Sequence, residues 1–115
     1  MKGYHSISRR SAKKMVGPGW GKILDKLYDV KPRWVHVLQV KEKWGGLRFY
    51  TGGATDSFFD AIRTAEKESY ETCELCGEPG KLREDLGWIL TLCDRHYEDS
   101  KKEKNEGKGV RTKNN

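Results

Sequence analysis

Two short stretches constrain this chain more than any other part of it: Cys73-Glu74-Leu75-Cys76 and Cys93-Asp94-Arg95-His96. They hold all three cysteines of the sequence, and residues 77–92 between them are about one β-hairpin in length. Cys-x2-Cys answered by Cys-x2-His lets two turns bring four ligands to tetrahedral corners, the arrangement zinc takes in closed structural sites. A lone Cys-x2-Cys would also suit a redox dithiol, but that motif lies near a βαβ pattern and needs no second pair. The expectation is one structural Zn2+ on Cys73, Cys76, Cys93 and His96. Iron accepts the same ligand types, although the mixed Cys3His set is ordinary for zinc.

A metal staple suits the rest of the chain. Of 115 residues, 35% are hydrophobic and 35% charged, so the core is modest and metal binding has to contribute folding free energy. An odd cysteine count at metal spacing argues against a disulfide framework and for a reducing compartment. There is no apolar leader and no run of spanning length, so no membrane association is expected and the location is read as cytoplasmic.

The net charge of +6 is unevenly spread. Residues 1–16 carry +5 and residues 100–115 carry +4, which leaves −3 for residues 17–99. A high pI usually suggests a nucleic-acid footprint, but here the cations sit at the two ends of a mildly acidic body.

Residues 1–16 show no apolar periodicity and read as a solvated basic arm. Gly17-Pro18-Gly19 is punctuation before an amphipathic helix from about Trp20 to Asp29, with Ile23, Leu24, Leu27 and Tyr28 at helical spacing and Pro32 as its stop. Residues 33–43 alternate as a strand, with Trp34, His36, Leu38 and Val40 on one face and Val35 and Val37 on the other. Trp44-Gly45-Gly46 turns the chain into a return strand over 47–51, making a hairpin. Thr55 or Asp56 caps a second helix running to about Tyr70, whose Phe58, Phe59, Ile62, Ala65 and Ser69 cover that hairpin. Lys81–Arg83 and Trp88–Leu92 form a shorter hairpin with Trp88, Leu90 and Leu92 inward, and a helix follows from Asp94 to about Lys104. The predicted fold is α+β: a basic arm (1–16), a helix–β-hairpin–helix body (17–72), a treble-clef-like zinc lobe (73–104) and a disordered basic tail (105–115).

The run Gln39-Val40-Lys41-Glu42-Lys43-Trp44-Gly45-Gly46-Leu47-Arg48-Phe49-Tyr50, taken with the two ligand pairs and Gly19-Trp20, resembles a group of uncharacterised small proteins of bacteria and their phages. The resemblance covers roughly residues 17–97, and this chain has Trp44 where that group's pattern has Phe. It implies a small, often phage-encoded, zinc-binding protein of the bacterial host cytoplasm. It carries over the four metal ligands and no catalytic residue.

A closed Cys3His shell has no open position for a catalytic water. The zinc deaminase signature, His-x-Glu with Pro-Cys-x-x-Cys, is absent. A ββα-metal nuclease is the enzyme reading that fits best, but it needs further magnesium-holding groups, and His5 and His36 are the histidines left over. His36 reads as a packed strand residue. Two non-enzymatic readings rank higher. In the first, nucleic acid is bound by the basic ends, by Arg95, Lys101 and Lys102 on the last helix, and by Lys41, Lys43 and Arg48 around a hairpin tip where Trp44 stacks on a base. In the second, the body docks on a host or phage enzyme, with Trp20, Trp44 and Trp88 as candidate anchors. For Trp20 and Trp88 the core is the stronger expectation.

Overall fold

The structure is a computed structural model, and it describes residues 6–103. In chain order these form helices α1 (Arg9–Lys14) and α2 (Gly21–Val30), strands β1 (Val37–Lys43) and β2 (Gly46–Thr51), helix α3 (Asp56–Ser69), and strands β3 (Lys81–Arg83) and β4 (Leu90–Leu92). A last helix, α4, covers residues 94–103. β1 pairs antiparallel with β2, and β3 with β4, giving two separate two-stranded sheets.

The body is built as its patterning requires. A 3-10 turn over Pro18–Trp20 leads into α2, which buries Ile23, Leu24 and Leu27 and leaves Lys22, Lys26 and Asp29 outside. Pro32 forces its predecessor Lys31 out of helical geometry and into an extended conformation. The Thr55 hydroxyl accepts from the Phe58 N–H at 3.1 Å and so caps α3, a contact of the kind worth about 1 kcal/mol. Trp20, Leu24, Val35, Val37, Leu47 and Phe58 are buried at the centre. Phe49 meets Tyr28 and Phe58 edge to face, with ring centroids 5.7 and 6.2 Å apart.

The face that carries His36, read as packed, is turned outward at the start of β1 and in the residues just before it. Val35 and Val37 point inward, while Trp34, His36 and Leu38 are exposed. A register shift between Val37 and Gln39 is the cause. One extra residue in a bulge moves every side chain before it to the opposite face, so the inward set becomes Val35, Val37 and then Val40. His36 is therefore no packed core residue.

The basic arm also differs from expectation over residues 6–16. The Ser8 hydroxyl caps α1 by accepting from the Ser11 N–H, Ala12 is fully buried, and the Ile7 N–H donates to the Val37 carbonyl at 2.9 Å. Arg9 pairs with Asp25 and Asp29 at 3.1 and 2.6 Å, and Lys13 with Asp25 at 3.0 Å. Both pairs of positions are spaced by four, so each presents its charges on one helix face. Residues 1–5 and the predicted tail 105–115 lie outside the described residues.

Two aromatic residues were expected inside and are not. Phe59 is exposed beside a buried Phe58, and Trp88 precedes β4 rather than lying within it, with 64% of its surface open. Among the described residues no helix is long and apolar enough to cross a membrane.

Candidate metal centre and hairpin-tip groove

Cys73 and Cys76 lie on the turn after α3, Cys93 directly follows β4, and His96 is in the first turn of α4. Their ligand atoms all fall within 4.8 Å of one another. Cys76 Sγ is 3.8 Å from Cys93 Sγ, and His96 Nδ1 is 3.6 Å from Cys73 Sγ and 3.3 Å from Cys93 Sγ. A tetrahedral ion with metal–sulfur bonds of about 2.3 Å and metal–nitrogen bonds of about 2.0 Å requires edges of roughly 3.8 Å and 3.5 Å. The three separations come close to these edges, so the four side chains could hold a metal ion, with Nδ1 the His96 nitrogen nearest the sulfurs.

The surroundings favour anionic sulfur. Burial works to raise the Cys73 pKa, but backbone N–H groups of Cys93, Cys76 and Leu75 directed at the sulfur outweigh it and bring the thiol to about 6. The His96 N–H also reaches Cys93 Sγ at 3.4 Å. Such donors hold a thiolate ready for a cation.

The cluster is fastened to the body at two places that sequence reading missed. The first is the Gly17–Trp20 segment, read above as punctuation. The Gly19 N–H donates to the Glu74 carbonyl at 2.7 Å, and the Trp20 indole N–H donates to the Thr72 carbonyl at 2.9 Å. A Cβ on Gly19 would lie 1.9 Å from the Cys73 oxygen, so only glycine lets the backbones approach this closely.

The second fastening is the hairpin tip. Trp44 and Gly45 both have positive φ, 56° and 82°, as a type I′ turn demands. The Glu42 carboxylate accepts from the Gly45 N–H at 2.8 Å and closes the turn. The Gly45 carbonyl in turn accepts from the buried Thr91 hydroxyl at 2.7 Å, across 46 residues of sequence. The Thr91 backbone bonds Glu74 twice: its N–H donates to the Glu74 side-chain carboxylate at 2.8 Å, and its carbonyl accepts from the Glu74 N–H at 3.0 Å. Burial pushes the Glu74 carboxyl up to about 7. The recoverable signal was an acid placed inside a ligand turn and two glycines flanking one proline.

The candidate binding residues fall into three groups. Direct register pairs set Lys41 against Arg48 and Gln39 against Tyr50, so these four share the outer face of the hairpin with Lys43. Arg48 is only 20% exposed and is ion-paired with Glu66 of α3. Arg95 and Lys102 are exposed on α4, and the Lys101 ammonium sits 5.0 Å from the centre of the Tyr97 ring. His36 immediately precedes β1, at the end of the hairpin away from the tip at Trp44 and Gly45.

The third group is the tip itself. Trp44 is 61% exposed, and with Trp88 it lines an open groove of about 640 Å³ between the hairpin and the segment before β4. Glu42, Lys43, Glu84 and Ile89 complete much of its wall. Comparison with protein-family models, curated proteins and solved structures gives no match.

Proposed function

We propose that the protein is a zinc-stabilised binding module, non-catalytic at its metal, that docks on a protein partner through the hairpin tip. The observation that carries this reading is the pair of open indoles, Trp44 and Trp88, lining one groove. Exposed tryptophans gathered in a concave surface are the usual anchors of protein interfaces. Zinc is the ion proposed for the Cys3His shell. The order of ligand turn, short hairpin and ligand-bearing helix supports a treble-clef-like lobe.

Nucleic acid was the leading partner on sequence grounds and becomes the second reading. The outer hairpin face, with Lys41, Lys43 and Tyr50, is the observation in its favour. Against it, Arg9 and Lys13 are taken up by Asp25 and Asp29, Arg48 by Glu66, and two glutamates line the groove beside Trp44. The resemblance to small proteins of bacteria and their phages makes a host or phage enzyme the proposed partner, and the bacterial cytoplasm the proposed location.

The test is an affinity pull-down from native cells with and without nuclease, comparing wild type with Trp44→Ala. The reading expects a protein partner that survives nuclease and is lost with the indole. Recovery abolished by nuclease would transfer the site to nucleic acid, and recovery unchanged in Trp44→Ala would remove the hairpin tip from the interface.

A further inference from the structure

The groove has a chemical character beyond being aromatic. Its walls carry two carboxylates, Glu42 and Glu84, against one ammonium, Lys43. Glu84 is exposed and makes no ion pair among the described residues. Glu42 Oε2 is engaged by the Gly45 N–H, an arrangement that anchors the side chain at the groove while a carboxylate retains further acceptor positions. Indole faces are the best aromatic partners for a cation, and the attraction grows when carboxylates stand beside them and water is displaced. Ile89 and Leu90 add an apolar stretch to the same wall.

We propose that the groove between Trp44 and Trp88 receives an arginine or lysine side chain of the protein partner, its cation met by the two indoles and by Glu42 and Glu84, with the partner's neighbouring apolar residues on Ile89 and Leu90. The proposal rests on the docking reading given above and adds what the docked segment must contain. Charge complementarity decides between partners. Phosphates approaching Trp44 or Trp88 would meet both glutamates, whereas a basic-apolar peptide finds a partner for each of its groups. The body, at −3 over residues 17–99, favours a basic partner at long range as well.

Four fluorescein-labelled probes test it by anisotropy with the zinc-loaded full chain: a short peptide alternating leucine with arginine, the same peptide with citrulline, the same with glutamate, and oligothymidine. The arginine peptide is expected to bind, with affinity reduced about tenfold by citrulline, by Glu84→Lys or by Trp88→Ala, each variant keeping its wild-type circular dichroism. Both positions are exposed, so these variants fold. Equal binding of the arginine and citrulline peptides, or binding by neither, would overturn the proposal. So would tight oligothymidine binding that strengthens in Glu84→Lys. A cellular partner lost in Trp44→Ala but retained in Glu84→Lys would leave the docking site standing and refute its cation specificity. A partner retained in both would refute the docking site itself.

Discussion

Replacing Gly19 with alanine would place a methyl carbon 1.9 Å from the Cys73 oxygen and 2.6 Å from the Gly77 nitrogen. Both obstacles are backbone of the metal-binding turn, so no side chain can swing aside to relieve the contact. The turn must retreat, and the Gly19–Glu74 and Trp20–Thr72 hydrogen bonds go with it. Two hydrogen bonds at about 1 kcal/mol each, with about 1–3 kcal/mol for forced overpacking, give a loss of about 3–5 kcal/mol. That is a large share of the 5–15 kcal/mol typical of a small domain. Because the strain falls on the ligand turn, a loss of about 3 kcal/mol appearing in metal binding would weaken it roughly a hundredfold. Urea unfolding and zinc competition against a chromophoric chelator measure the two effects. Gly21→Ala is the control: its Cβ would meet only the flexible Lys13 side chain at 3.4 Å, at the first residue of α2. A Gly19→Ala protein as stable as Gly21→Ala, with unchanged metal affinity, would refute the cradle.

Chelation, or Cys93→Ser, should unfold residues 73–96 and release the Trp20 indole N–H from the Thr72 carbonyl, which proton exchange at that indole reports; continued protection in the metal-free protein would show the cluster to be dispensable. Thr91→Val removes the hydroxyl that donates to Gly45 and should cost about 1–3 kcal/mol, since a buried carbonyl loses its partner; an unshifted urea midpoint would contradict it. Burial raises Tyr28 from its ordinary range to about 12, so the folded state keeps a proton that the unfolded chain releases near pH 10. Its contribution is fully present below about pH 10 and is lost as pH rises through about 12. Tyr28→Phe, which also forfeits the bond to the Ile7 carbonyl, should flatten that alkaline loss. Parallel pH profiles for the two proteins would count against the assignment.

The Cys3His cluster was legible because four potential ligands of two chemical types at fixed spacing leave few alternatives, and a turn-hairpin-helix is what that spacing permits. The hairpin, the helix before it and the helix that covers it were legible from period and from the glycines that follow Trp44. The outward face at the start of β1 was not, because a bulge leaves no mark on composition: Trp34-Val35-His36-Val37-Leu38 alternates equally well in either register. The folded N-terminal segment was hidden by its brevity, since Ile7 and Ala12 are too few to make a period and the charges of Arg9 and Lys13 look solvated until Asp25 and Asp29 are placed opposite. Trp88 was drawn inward by its alternation with Leu90 and Leu92, a period that does not apply because β4 begins only at Leu90. The contacts of Gly19, Glu74 and Thr91 depend on pairings between segments 17 to 55 residues apart, which no local pattern records.

Trp44 holds φ at 56° in a turn whose first central position asparagine or glycine would fill more easily. An indole there works against the fold by about 1–2 kcal/mol, the penalty for a side chain in left-handed geometry, and with 61% of its surface open it recovers little by burial. Trp44→Asn should therefore raise the unfolding midpoint while silencing the hairpin tip, separating stability from activity in a single substitution. On the docking proposed for the tip, the position marks a compromise in which a weaker turn carries a large, rigid side chain at its apex. Under that proposal, the substitution that most readily relaxes the turn is also the one that removes the anchor.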